Sequence, residues 1–163
     1  MKKTIIVMLS MIMAISCLAL TSCGGGNSDE IDLSANITKT DDSSTGDGVV
    51  ESDVFKLTLP NGASWDYEVV SPTEIVFFNK AAKDADLGGT LFTLKVLEKD
   101  DTTLEAVPGA VVGEKNGKNI TAVFTSDVQY DIEDEAASKE YMDVFSVVQT
   151  ISDDASASPL VLK

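Results

Sequence analysis

The segment Ala110-Val111-Val112-Gly113-Glu114-Lys115-Asn116-Gly117-Lys118-Asn119-Ile120-Thr121-Ala122-Val123-Phe124-Thr125 decides the fold. Asn-Gly between two extended, β-branched runs predicts a tight hairpin, because both central residues of a two-residue turn take positive φ. Counting outward from that turn sets Val111 opposite Ala122 and Val112 opposite Thr121. A hairpin cannot stand alone, so further strands must lie beside it.

Upstream, Gly88-Gly89 opens Thr90 to Leu97, where Phe92, Leu94 and Val96 form one face. Asn79 to Gly89 is polar and reads as a loop or short helical turn. Ile75-Val76-Phe77-Phe78 is a short apolar run of the kind found in strands buried on both sides. Ser71-Pro72-Thr73 separates it from a strand alternating Trp65, Tyr67 and Val69. Pro60-Asn61-Gly62 in turn ends a strand built on Phe55, Leu57 and Leu59.

Downstream the period changes from two to 3.6. Tyr141, Val144, Phe145, Val148 and Ile151 make one stripe, facing Lys139, Glu140, Asp143 and Ser146. Glu133, Asp134 and Glu135 place negative charge where a helix N-terminus favours it, so a helix is expected from about Ala136 to Ile151. The expected class is α+β: an antiparallel sheet of about five to six strands with one C-terminal amphipathic helix packed on it. One sheet face would remain open to solvent or a partner. The domain spans 53–152, and 153–163 reads as a flexible tail.

The N-terminus has a different character. Lys2 and Lys3 precede Ile5 to Leu20, an uncharged run interrupted only by Ser10 and Ser16, which is the pattern of a signal peptide over residues 1–22. At sixteen residues the run is shorter than the ~20 needed to span a bilayer core. Leu20-Thr21-Ser22-Cys23 ends it, and these four residues resemble the lipobox of a bacterial lipoprotein. The resemblance implies recognition of Leu20, Thr21 and Ser22 by signal peptidase II and a diacylglyceryl group on the Cys23 thiol. A thiolate is nucleophilic enough to take the lipid as a thioether, and two or more acyl chains make a lasting anchor. The chain is then held at the outer face of the cell membrane.

Residues 23–52 open with three consecutive glycines after Cys23 and carry seven acids and one lysine, with much Ser, Thr and Asn. The expectation is a disordered acidic linker with a reach of roughly 30 Å. Asp41 to Gly48 superficially matches a calcium loop, but Ser43 and Thr45 occupy ligand places, so no calcium is expected there.

Beyond residue 22 the charge is −17, from 27 acids and ten lysines, and there is no arginine or histidine. A nucleic-acid partner is excluded, since no basic footprint exists to neutralise phosphates. Cys17 belongs to the signal segment and Cys23 to the anchor, which leaves no thiol for a disulfide or a soft metal. The commonest general base and nucleophile are both missing, so a non-enzymatic protein without cofactor or metal is expected.

Phe55-x-Leu57-x-Leu59-Pro60 followed by Trp65, then Gly89-Thr90-Leu91-Phe92, Thr125 to Tyr130 and Glu140-Tyr141-Met142 resemble small extracytoplasmic domains of Gram-positive bacteria. The strand order and the proline-then-tryptophan spacing are loosely similar to the PsbP/Mog1-like sandwich. That resemblance implies structure rather than an activity. The candidate binding residues are Trp65, Asp127, Gln129 and Tyr130, although the spacing of Trp65, Tyr67, Tyr130 and Tyr141 equally suits a core. The acids Asp127, Asp131, Glu133, Asp134 and Glu135 could hold calcium or an acid/base pair, but a solvated helix N-terminus is the expectation. The functional expectation is a membrane-anchored lipoprotein that binds a protein or cell-envelope partner. The alternatives are an accessory or sensory lipoprotein of a membrane complex, or a divalent-ion-dependent enzyme.

Overall fold

The computed structural model describes residues 30–163; the signal segment, the lipobox with Cys23 and the first part of the linker lie outside the described residues. The architecture is α+β, with two antiparallel sheets facing each other and a C-terminal helix packed on them. The first sheet contains β1 (Thr38–Asp41), β2 (Gly48–Glu51), β3 (Phe55–Leu59) and, at its other edge, β9 (Leu160–Leu162). The second contains β4 (Trp65–Ser71), β5 (Glu74–Asn79), β6 (Thr90–Leu97), β7 (Gly109–Lys115) and β8 (Lys118–Phe124), in the order β4-β5-β6-β8-β7. Two short helices, α1 (Lys80–Asp84) and α2 (Thr103–Ala106), join strands of the second sheet, and α3 (Glu135–Val148) lies against β3 and β6.

Period-two patterning builds the core. Phe55, Leu57 and Leu59 point inward from β3, and Ile75 and Phe77 from β5, all fully buried. Phe77 sits at the centre: it stacks on Phe92 at 4.6 Å and meets Phe55 edge-on across the sheets at 6.3 Å. Such pairs favour offset or edge geometry because of the ring quadrupole. Val76 and Phe78 face the other way and are only half-buried, so β5 alternates rather than being buried on both sides. The helix supplies Tyr141, Val144 and Val148 to the same core, with Ile151 just past its end.

The hairpin at Asn116-Gly117 forms with both residues at positive φ, 49° and 77°. Its register departs from the simple count. Ala110 pairs with Ala122 and Val111 with Thr121, because a bulge at Val112 adds a residue to β7 before Gly113 pairs with Ile120. The bulge turns Val112 into the core, where it is 6% exposed. A Cβ on Gly113 would stand 2.6 Å from Leu162 of β9, so the bulge and the missing side chain let the two sheets close along this side.

Residues 30–52 are not a disordered linker in the described part. Ile31 and Leu33 are buried, the Leu33 N–H donates to the Pro72 carbonyl at 2.7 Å, and β1 and β2 pair onto β3. The Ser, Thr and Asp content that suggested disorder serves turns: Asp42 accepts from the Ser44 N–H and hydroxyl in the β1–β2 loop. That loop is the stretch with calcium-loop spacing. The segment 153–163 is likewise not a flexible tail. Leu160 is 1% exposed and β9 pairs with β3, Leu57 opposite Leu160. Composition hid both segments because each has only a few apolar residues, among which Ile31, Leu33, Val50 and Leu160 are spent on the core.

Candidate functional site

At one end of the sandwich, α1 and α3 approach each other and leave two recesses. Asn79 organises this end. Its side-chain carbonyl accepts from the Ala82 N–H at 2.9 Å and caps α1, while its amide nitrogen donates to Glu140 of α3 at 3.2 Å. An asparagine N-cap satisfies a donor that the first helical turn leaves over. Asp134 does the same for α3, accepting from Ala136 and Ala137 at 2.9 and 3.0 Å.

The larger recess, about 770 Å³, is an open cleft. Its walls are Lys80, Ala81 and Asp84 of α1, Ala136, Lys139, Glu140 and Asp143 of α3, and the turns at Gly46 and at Asn61, Ala63 and Ser64. Exposed alanines from both helices and the Asn61 turn line it together with charged groups of both signs. Lys139 and Asp143 pair one helical turn apart. Lys83, on the other side of α1, is already engaged by Glu68 at 2.7 Å and lies 3.7 Å over the Phe78 ring. The cleft can therefore seat a polar chain or loop by shape and by single charge contacts.

The smaller recess, about 200 Å³, lies between Ala82 and Leu87 on one side and Tyr130, Asp134 and Ala137 on the other. Tyr130 stacks on Tyr141 at 4.7 Å. The Tyr141 hydroxyl donates to the Thr90 carbonyl at 2.5 Å, and burial pushes its phenol well above the usual tyrosine range, with Tyr130 adding to the effect.

The four candidate binding residues do not assemble into one site. Trp65 is fully buried, with its indole N–H donating to the Pro60 carbonyl at 3.0 Å and Lys39 lying 4.5 Å over its ring. It has no surface to offer a ligand, because the sheets meet around it: a Cβ on Gly48 would stand 2.6 Å from the indole. Asp127 is exposed. Gln129 packs over the turn at Gly88 and lines a shallow groove of about 250 Å³ with Thr90, Thr93 and Val123. Tyr130, its neighbour, belongs to the recess between the helices.

Two of the acids of 127–135 serve as local caps. Asp131 accepts from the Glu133 N–H and Asp134 caps α3. Among the described residues no group of three or more His, Cys, Asp or Glu is arranged to hold a metal ion, and no helix is long and apolar enough to cross a membrane. Sequence reasoning missed the cleft. The polar stripe Lys139-Glu140-Asp143 was visible, but nothing local reveals that α1 and the Asn61 turn come to face it. The chain matches no protein-family model, no curated protein and no solved structure.

Proposed function

We propose that the chain is a bacterial lipoprotein held at the outer face of the membrane through Cys23, whose domain binds a protein or cell-envelope partner rather than turning over a substrate. The observation that carries the reading is the ordered sequence Lys2-Lys3, uncharged run, Leu20-Thr21-Ser22-Cys23. Each part meets a separate requirement of export and lipid transfer. Binding is favoured over catalysis because histidine is missing throughout and neither cysteine falls in the folded domain. The open cleft between α1 and α3, rimmed by Lys80, Asp84 and Lys139, is the surface this reading assigns to the partner.

Metabolic labelling with a fatty-acid analogue tests the anchor. The wild-type chain is expected to take up label and fractionate with membranes, and Cys23→Ala to lose the label. Equal labelling of the two would refute the reading. For the partner, Ala136→Arg in the cleft lining is expected to abolish in-cell crosslinking from a photoreactive group at position 84, while the fold stays intact by circular dichroism.

A further inference from the structure

The domain has two unlike ends, and the first described residues lie at one of them. Ile31 and Leu33 are buried, and the Leu33 N–H is bonded to Pro72 in the turn between β4 and β5. The Val96 N–H donates to Thr73 of the same turn, and Leu97 pairs with Asn119 beside the Asn116-Gly117 hairpin. The first described residues are thus pinned to the end formed by these turns. The cleft lies at the other end, where β4 begins: Trp65 pairs with Asn79, and Asn79 is the cap of α1. Seven residues of β4 separate the ends by roughly 20 Å of strand.

We infer that the turn Ser71–Glu74 and its flanking valines face the lipid surface beside the anchor, and that the cleft is turned away from the bilayer towards the exterior. The inference rests on the reading of Cys23 as the lipid attachment site. Three observations carry it. Cys23 and Glu30 are seven residues apart, a contour of at most ~25 Å in any conformation. That confines the pinned end to within ~25 Å of the lipid surface, less than the ~35 Å width of a body with a ~14 Å radius of gyration.

The lysines are also unevenly spread. Lys95, Lys99, Lys115, Lys118 and Lys163, half of the ten beyond the signal segment, gather near the pinned end, where four of them offset Glu74, Glu114, Glu98 and Glu51. At the cleft end Lys80, Lys83 and Lys139 lie among Asp84, Asp86, Asp131, Glu133, Asp134 and Glu135. Finally, Val69 and Val70 are 41% and 57% exposed next to an exposed Pro72, an apolar tip suited to the headgroup boundary and without a partner within the fold.

The full chain, purified from membranes with its lipid and reconstituted in vesicles containing phosphatidylglycerol, provides the test. Single cysteines at exposed positions, Asn116→Cys near the pinned end and Asp84→Cys at the cleft, carry a donor fluorophore, and an acceptor is placed on the headgroups. Transfer from position 116 is expected to exceed that from position 84 by roughly twofold or more, given the ~20 Å between the ends. The pair Asp100→Cys and Asp127→Cys repeats the comparison should either first variant fold poorly. Equal or reversed transfer in a chain whose intact mass includes the diacylglyceryl group overturns the orientation alone. An intact mass without that group overturns the anchor, and the orientation with it.

Discussion

Lys39 shows how one side chain can close a β-sandwich. It points inward from edge strand β1, and its ammonium donates to the Gly62 and Trp65 carbonyls, each at 2.6 Å, while lying over the Trp65 ring. An inward lysine on an edge also discourages pairing with another chain. Lys39→Met keeps the aliphatic stem but strands two carbonyls, and should cost about 2–3 kcal/mol in urea unfolding. A loss below half a kcal/mol would mean water replaces the ammonium without penalty. Trp65→Ala should cost about 3–5 kcal/mol by opening a cavity at the sheet junction. Tyr141 makes a pH prediction. Its phenol titrates above the unfolded value, near 10, so the folded state holds its proton longer and the associated stability is present below about pH 10 and lost as pH rises beyond it. Tyr141→Phe should flatten the alkaline fall in stability between pH 9 and 11. Unchanged slopes for the two proteins would show that the buried phenol is not its source.

Among the elements, β9 and the β1–β2 pair are the ones on which the first sheet depends. Leu160→Ala should lower stability by about 2–4 kcal/mol, and a fragment starting at Asp53 should fail to give a cooperative thermal transition that a fragment starting at Glu30 retains. The reason lies in which residues carry the core: Ile31, Leu33, Val50 and Leu160 all belong to segments whose composition reads as linker or tail. Period-two runs such as Phe55-Leu57-Leu59 and the stripe Tyr141-Val144-Val148 announce their elements, because each buries three or more side chains from one continuous face. Strands of three or four residues bury two at most and leave no period to count. The bulge at Val112 was hidden for a related reason. It lies beside Gly113, which closes on Leu162 some fifty residues away, and the turn at Asn116-Gly117 carries no sign of that approach. The same non-locality kept the cleft out of sight, since its walls come from four separate parts of the chain.

For the whole molecule, two sheets and a helix form one body with the chain's approach at one end and a polar cleft at the other. Attaching lipid near the first end would leave the second free for a partner, which gives the tether a positional role as well as an anchoring one. The central claim is the lipid on Cys23, and intact-mass and N-terminal peptide analysis of the processed chain tests it most directly. The account predicts an N-terminal Cys23 carrying a diacylglyceryl thioether. An unmodified N-terminus, or processing at any other position, would contradict it.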